Sequence, residues 1–163
     1  MAFLLDTDIL SAIRRKQRDP KLDQWFQDNR TADIYLSVVT IGEVERGITR
    51  QKQVNSEFAQ ILENWLEEII ARYGQRILPL TITIAKRWGR LSGDLGHDGA
   101  DLMIAATALD HNLVVVTRNV RHFEPTRVNL INPFLDGLIK SWRAATLRCS
   151  FNVHKITIIG SWA

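Results

Sequence analysis

The chain has 163 residues, enough for one domain, and 45% of them are apolar, which is ample for a hydrophobic core. Its single cysteine, Cys149, excludes an internal disulfide and a thiolate zinc site, so any metal ion must be held by oxygen or imidazole ligands. No apolar run approaches the roughly 20 residues that span a bilayer. Two acids interrupt the apolar N-terminus, so we expect a cytoplasmic protein that does not enter a membrane.

The net charge of +3 is unevenly distributed along the chain. Four of the 21 basic residues and none of the 18 acids lie from Lys140 onward, so residues 1–139 carry a net charge of −1. A nucleic-acid contact would therefore depend on local basic clusters. The candidates are Arg14, Arg15, Lys16 and Arg18, then Arg46 and Arg50, then Arg118 and Arg121. Each cluster taken alone is more often a solvated helix face.

The first half of the chain alternates short apolar runs with helical patterns. A strand over 3–5 runs directly into Asp6-Thr7-Asp8 and a helix, with Asp6 as the expected N-cap. A helix is expected over 21–29 and an alternating strand over 33–39. The spacing of Thr40 and Glu43 matches a capping box, which predicts that the next helix starts there.

The second half repeats this alternation. Helical spacing predicts a long helix over 56–73 that ends at Gly74, a brief strand over 76–80 and a helix over 82–95. A helix led by Asp101, a buried strand over 113–116, a short helical turn over 120–123 and a strand over 127–131 follow. Strands that alternate with helices predict an α/β fold with a mostly parallel sheet covered on both faces.

The chain divides by composition near residue 134. We expect one domain over 1–134 and a C-terminal extension over 135–163. The part from Ser141 to Ala163 lacks acids and shows no clear helical period. It is either a non-native or poorly ordered extension, or its VHKITIIGSW run forms an edge strand or a partner-binding hook.

Acidic residues recur at the predicted starts of helices. Asp6 and Glu43 each follow a strand, and Asp98 and Asp101 lie at the start of another helix. Because the carboxyl ends of parallel strands meet at one edge of a sheet, these acids are expected to converge there. Asn119 follows the strand over 113–116 and would reach the same edge, where hydroxyls of Thr7 and Thr117 could join it.

Clustered carboxylates repel one another unless a cation lies between them. Mg²⁺ prefers carboxylate and phosphate oxygens, and Mn²⁺ accepts similar ligands. Such an ion polarises a phosphoryl oxygen and makes a water molecule more acidic, so the cluster predicts phosphodiester hydrolysis. Each acid could also be only a helix cap, although three such acids together make that explanation less satisfactory.

Three segments resemble PIN-domain ribonucleases and, among them, the VapC-like toxins of bacterial toxin-antitoxin pairs. They are LLDTDIL, SVVTIGEVERG and DGADLMIAATALDHNLVVVTRNVRHFE followed by NPF, and together they cover roughly residues 3 to 134. The resemblance implies a PIN-like three-layer α/β/α sandwich. It also implies a magnesium-dependent endoribonuclease that acts on RNA, a cognate antitoxin that inserts a peptide into the acidic crevice, and a homodimer.

The resemblance also implies roles for individual residues. It assigns Asp6 and Asp101 as metal ligands and Glu43 as the third acid, either a ligand or the group that orients the nucleophile. Asn119 stands at the fourth catalytic position, where the family often has aspartate. Asp98 is either a further ligand or the N-cap of its helix.

Other side chains receive weaker assignments. Arg46, Arg50, Arg118 and Arg121 are candidates for contacts with RNA phosphates. The histidines at 97, 111, 122 and 154 lack the spacing of metal ligands and are expected to be surface or packing residues.

Two alternatives remain open from the sequence. The Asp6-Thr7-Asp8 motif after a strand also resembles haloacid-dehalogenase-like phosphatases, in which the first aspartate attacks phosphorus. That fold needs a later acidic pair after an apolar strand, whereas Asp98 and Asp101 follow Leu95-Gly96-His97. The second alternative is an inactive PIN-like domain used only for binding, which the presence of all three acids disfavours.

Overall fold

The computed structural model describes residues 1–15, 17–135 and 139–140, the last two by their backbone alone. The strands are β1 (Phe3–Leu5), β2 (Ile34–Ser37), β3 (Ile77–Leu78), β4 (Val114–Val116), β5 (Leu130–Ile131) and β6 (Ile139–Lys140). The helices are α1 (Thr7–Ile13), α2 (Pro20–Asp28), α3 (Val38–Lys52), α4 (Ser56–Tyr73), α5 (Ile82–Leu95), α6 (Ala100–His111) and α7 (Val120–Phe123). The segment 141–163 lies outside these residues, so the division of the chain at residue 134 stays a prediction.

The strands form one sheet in the order β3-β2-β1-β4-β5-β6. The first five strands in this order run parallel, and β6 pairs antiparallel with β5. The prediction of a mostly parallel sheet is therefore confirmed. The central pair β1 and β4 aligns Leu5 with Val116, so the residues that follow these two strands emerge side by side.

Helices cover both faces of the sheet because alternate strand residues point to opposite sides. Phe3 and Leu5 lie in a core shared with α1, α2 and α4. Leu4 lies in the opposite core, which includes residues of α6 and Phe123 of α7. The result is the predicted three-layer α/β/α sandwich, with the ends of the central strands open to ligands along one edge.

The helix boundaries match the predicted pattern except at α3. Helices α4 and α5 have the predicted bounds, and Gly74 follows α4 with a φ of +48°. Helix α3 begins earlier than the capping-box pattern indicated, because the Ser37 side chain accepts a hydrogen bond from the Val39 N–H at 3.1 Å. Thr40 is therefore buried inside the helix and is not its cap.

No helix among the described residues combines the length and the apolar character needed to cross a membrane.

Candidate active site

Asp6 lies where β1 ends and α1 begins, at the centre of the sheet edge. Its backbone N–H continues the β1–β4 ladder by donating to the Val116 carbonyl at 3.0 Å. One carboxylate oxygen accepts the Thr7 N–H at 2.7 Å, which makes Asp6 the N-cap of α1 as predicted. The other oxygen accepts the hydroxyl of Thr117, the residue after β4, also at 2.7 Å. Both oxygens are thus fixed by the ends of the two central strands.

This position is unfavourable for a negative charge. Asp6 is only 3% exposed, and burial together with the nearby Asp8 carboxylate raises its pKa to about 7. The hydrogen bonds from Thr117 and Thr7 lower the pKa, whereas the charge of Asp101 raises it. Burial outweighs the hydrogen bonds, so ionised Asp6 is destabilised at neutral pH, and a bound cation would favour the ionised form.

Asp8 belongs to the same cluster, although it is not among the site residues predicted from the sequence. Its Oδ2 accepts the backbone N–H of Arg118 at 3.0 Å, and its Oδ1 is buried with no hydrogen-bond partner among the described residues. Burial raises the pKa of Asp8, and the charge of Asp101 raises it further. In the sequence, the position of Asp8 two residues after Asp6 is the feature that points to the site. The burial of its Oδ1 depends on the fold and cannot be read from the sequence.

Glu43 reaches the cluster from α3. Its Oε2 accepts the Thr7 hydroxyl at 2.6 Å, so Thr7 links it to the residue next to Asp6. The expectation that Glu43 lies in the first turn of its helix is wrong, since α3 starts at Val38. Glu43 is brought to the site by the packing of α3 against α1 instead of by a helix terminus.

Asp101 lies in the first turn of α6, as predicted. Its Oδ2 lies 2.8 Å from Nδ1 of His122 on α7, and the two side chains are partly exposed. His122 was expected to be a surface or packing residue, and its pairing with a site acid was missed. The two residues are 21 positions apart, and their contact depends on how α7 packs on α6.

Asn119 lies just after the end of β4, and among the described residues it makes no hydrogen bond to a carboxylate. Its backbone N–H donates to the Thr117 hydroxyl oxygen at 2.9 Å, and its side chain is exposed. Asp98 is also exposed, and the expectation that it caps α6 is wrong because Gly99 occupies the N-cap position. The catalytic role of Asn119 and the metal-ligand role of Asp98 stay predictions.

The four candidate arginines differ in their contacts. Arg46 lies 3.4 Å from Glu43 Oε1, one helical turn away on α3. The Arg118 guanidinium stacks over the Phe134 ring at 4.2 Å, while its backbone binds Asp8. Arg121 lines a cavity together with Arg118. Arg50 is exposed on α3 and has no hydrogen bond to the acids within the described part of the chain.

The donor set fits a hard divalent cation. Within residues 1–15 and 17–135, no three acidic, histidine or cysteine side chains are gathered closely enough to form a ready-made metal site. Nevertheless, the Asp101 charge raises the pKa of both Asp6 and Asp8, and within the described part of the chain Asp8 Oδ1 is buried without a hydrogen-bond partner. A cation bound by carboxylate oxygens would relieve both conditions, and Mg²⁺ or Mn²⁺ prefers such ligands.

Comparisons with known proteins agree with this architecture. A family model described as the PIN domain matches residues 3–127. The chain is 31% identical to Toxin FitB of Neisseria gonorrhoeae, over 82% of this chain and 99% of that protein. It is 28% identical to VapC ribonuclease Y4jK of Sinorhizobium fredii, over 81% of this chain and 97% of that protein.

A solved structure is similar over the same region. The crystal structure of FitAcB from Neisseria gonorrhoeae has a TM-score of 0.71 at 30% identity, and the match covers 81% of this chain and 98% of that one. The fold and the family expected from the three sequence segments are both confirmed, and the phosphatase fold finds no support. The chain belongs to the PIN-domain family.

Proposed function

We propose that this chain is a magnesium-dependent endoribonuclease that hydrolyses phosphodiester bonds in RNA and acts as the toxin of a toxin-antitoxin pair. The observation that carries this proposal is the buried Asp6 carboxylate, fixed at the central strand ends and coupled electrostatically to Asp8 and Asp101. Ribonucleases of this family depend on a metal ion. The named ribonuclease and toxin relatives support the reaction and the biological role.

Asp6, Asp8 and Asp101 would hold the ion. A bound Mg²⁺ would supply Lewis-acid stabilisation of the phosphoryl oxygens and increase the acidity of the attacking water, and Mn²⁺ would substitute for it. Thr117 and Thr7 hold the Asp6 oxygens in fixed directions, so this ligand requires little reorganisation when the ion binds.

Glu43 and His122 act beside the ligands. Thr7 fixes Glu43 Oε2, while among the described residues Oε1 has a long contact to Arg46 alone, so this oxygen can orient the water and accept its proton. His122 holds one oxygen of Asp101, which leaves the other oxygen for the ion. Hydrogen bonding of a ligating carboxylate by a neighbouring side chain is typical of metal sites.

The acidic cluster also suits an inhibitory partner. A guanidinium pairs in a bidentate manner with carboxylates, so an arginine from an antitoxin would neutralise the cluster and occupy the position of the ion. The relative named as a toxin supports such a partner for this chain. We also propose a homodimer, on the basis of the family resemblance alone.

The direct experiment is cleavage of transfer and ribosomal RNA by the purified full chain. We expect cleavage with Mg²⁺, none with EDTA, and a loss of roughly a thousandfold or more in Asp6→Asn and Asp101→Asn, because removing a ligand carboxylate removes ion and charge together. The matched control is Asp94→Asn, an exposed acid on α5. Cleavage in EDTA, or full activity of Asp6→Asn, would contradict the mechanism.

Two results would favour the alternatives. Covalent phosphorylation of Asp6 by a small phosphate ester would favour the phosphatase. RNA binding without cleavage under any divalent cation would favour an inactive binding domain.

A further inference from the structure

A cavity of about 380 Å³ lies beside the acidic cluster, at the ends of β4 and β5. Arg118, Asn119 and Arg121 form its polar wall, and Val120 and the exposed Leu135 form the accessible part of its apolar lining. Its volume falls within the range of about 300 to 1,000 Å³ that is usual for small-molecule sites. An apolar surface for a ring, an amide and two cations are the groups that recognise a nucleotide.

This cavity is connected directly to the acids. The backbone N–H of Arg118 donates to Asp8 Oδ2, and the backbone N–H of Asn119 donates to the Thr117 hydroxyl oxygen that bridges to Asp6. Two consecutive wall residues are thus hydrogen-bonded to the cluster. A nucleotide adjoining a phosphate at the acids would lie within reach of the cavity.

The side chains of the wall divide into fixed and available groups. The Asn132 amide is engaged within the fold, because its Nδ2 donates to the Arg118 carbonyl at 3.4 Å and its Oδ1 accepts the Phe134 N–H at 3.0 Å. The Asn119 side chain has no hydrogen-bond partner among the described residues and is exposed. An asparagine amide offers both a donor and an acceptor to the edge of a base. Asn119 is therefore a group in this wall that can distinguish bases.

A second cavity, of about 300 Å³, shares Arg118 with the first. Arg15, Arg18 and Phe134 also line it, and the Arg118 guanidinium stacks over the Phe134 ring. Arg18 also forms an ion pair with Asp23 at 3.4 Å, in which both side chains are exposed to solvent. The three arginines outnumber Asp19, the acid in the same lining, so the cavity carries a net positive charge suited to backbone phosphates.

We propose that the two cavities are consecutive subsites for single-stranded RNA, an inference that rests on the proposed nuclease function. The base beside the cleaved bond enters the first cavity and is read by Asn119, with Arg121 at its phosphate. The adjoining backbone crosses Arg118 into the cavity of Arg15. Asn119 then acts as a specificity-determining residue.

The test is fluorescence anisotropy with fluorescein-labelled ten-nucleotide RNAs of oligo-A, oligo-C and oligo-U, measured in EDTA at low salt. The wild-type chain should prefer one of the three bases. Asn119→Ala should reduce this preference by roughly fivefold or more, the discrimination expected of one amide–base contact. Arg121→Ala and Arg15→Ala should weaken binding of all three RNAs alike and flatten its salt dependence.

Matched controls are Asn64→Ala and Arg90→Ala, exposed residues on α4 and α5 that lie outside both cavities. Equal affinity of the wild type for the three RNAs, or an unchanged preference in Asn119→Ala, would overturn the assignment of Asn119. Effects of Arg15→Ala and Arg121→Ala no larger than that of Arg90→Ala would overturn the subsites. Because this assay requires no cleavage, the nuclease proposal and the subsites can fail separately.

Discussion

Asp6 and Asp101 belong to one acidic cluster but lie in opposite environments. Asp6 is 3% exposed, and threonine groups occupy both of its oxygens. The Asp101 side chain is 32% exposed and has one oxygen paired with His122. Burial raises the pKa of Asp6 to about 7. A bound cation would therefore mainly stabilise the ionised form of the buried Asp6. The partly exposed Asp101 lies on the side of the cluster that solvent and RNA can reach.

The largest expected effect is on the pH dependence of the free energy of unfolding of the metal-free chain, to which Asp6 and Asp101 should contribute very differently. The pKa of Asp6 is raised from its ordinary value of 3.8 to about 7, so the folded chain binds this proton more tightly than the unfolded chain does. The corresponding stability is complete below about pH 4 and is lost as the pH rises through about 7. We expect Asp6 to lower the free energy of unfolding by about 4 kcal/mol over that interval.

Urea unfolding in EDTA at a series of pH values measures this loss. Asp6→Asn should remove most of it and stabilise the metal-free chain near pH 8. Asp101→Asn is the matched comparison and should leave the pH dependence nearly intact. If Asp6→Asn and the wild type lost stability in parallel, the buried charge would not be the cause.

An intermediate effect is expected at the exposed end. His122→Phe removes the hydrogen bond to Asp101 and should weaken Mn²⁺ binding by roughly 10- to 100-fold, the usual loss when a residue that orients a metal ligand is removed. His122→Asn keeps an N–H near the position of Nδ1 and should restore most of the affinity. The control is His111→Phe, an exposed residue at the other end of α6.

Calorimetric titration with Mn²⁺ distinguishes a positioning role from a structural one. Equal affinities of His122→Phe and His111→Phe would show that the imidazole does not orient Asp101. Failure of His122→Asn to recover affinity would show that the contact acts by packing and not by its hydrogen bond.

The smallest expected effect concerns the hydrogen bond by which Thr7, the neighbour of Asp6, holds Glu43. Thr7→Val removes the hydroxyl that holds Glu43 at 2.6 Å but keeps the size of the side chain. We expect kcat for RNA cleavage to fall roughly tenfold, as for loss of one hydrogen bond to a charged group. Metal affinity should not change, because Glu43 lies beside the ligands. Thr49→Val, at an exposed position on α3, serves as control, and a loss of metal affinity in Thr7→Val would make Glu43 a ligand.

The sequence predicted most of the scaffold because its signals are local. The apolar spacing and Gly74 defined α4, and the run from Phe3 to Leu5 followed by Asp6 defined both a buried strand and the cap of α1. The start of α3 was misplaced because Ser37 and Thr40 are both suitable caps, and only the end of β2 selects Ser37.

The site was predicted less completely because it depends on long-range packing. The acids at 6, 43 and 101 were found from their positions beside predicted strands and helices. The unpartnered oxygen of Asp8 arises from burial, and the contact of His122 with Asp101 arises from the packing of α7 on α6. Neither property has a fixed spacing in the sequence, so neither could be assigned before the fold was known.

The measurement that tests the central claim most directly is calorimetric titration of the full chain with Mg²⁺ in buffers of different ionisation enthalpy. Since burial raises the pKa of Asp6 to about 7, Mg²⁺ binding at pH 7 should release protons, and binding at about pH 9 should release almost none. Both the binding and the proton release should be lost in Asp6→Asn. Unchanged Mg²⁺ affinity in Asp6→Asn, or binding by the wild type without proton release at pH 7, would contradict the account.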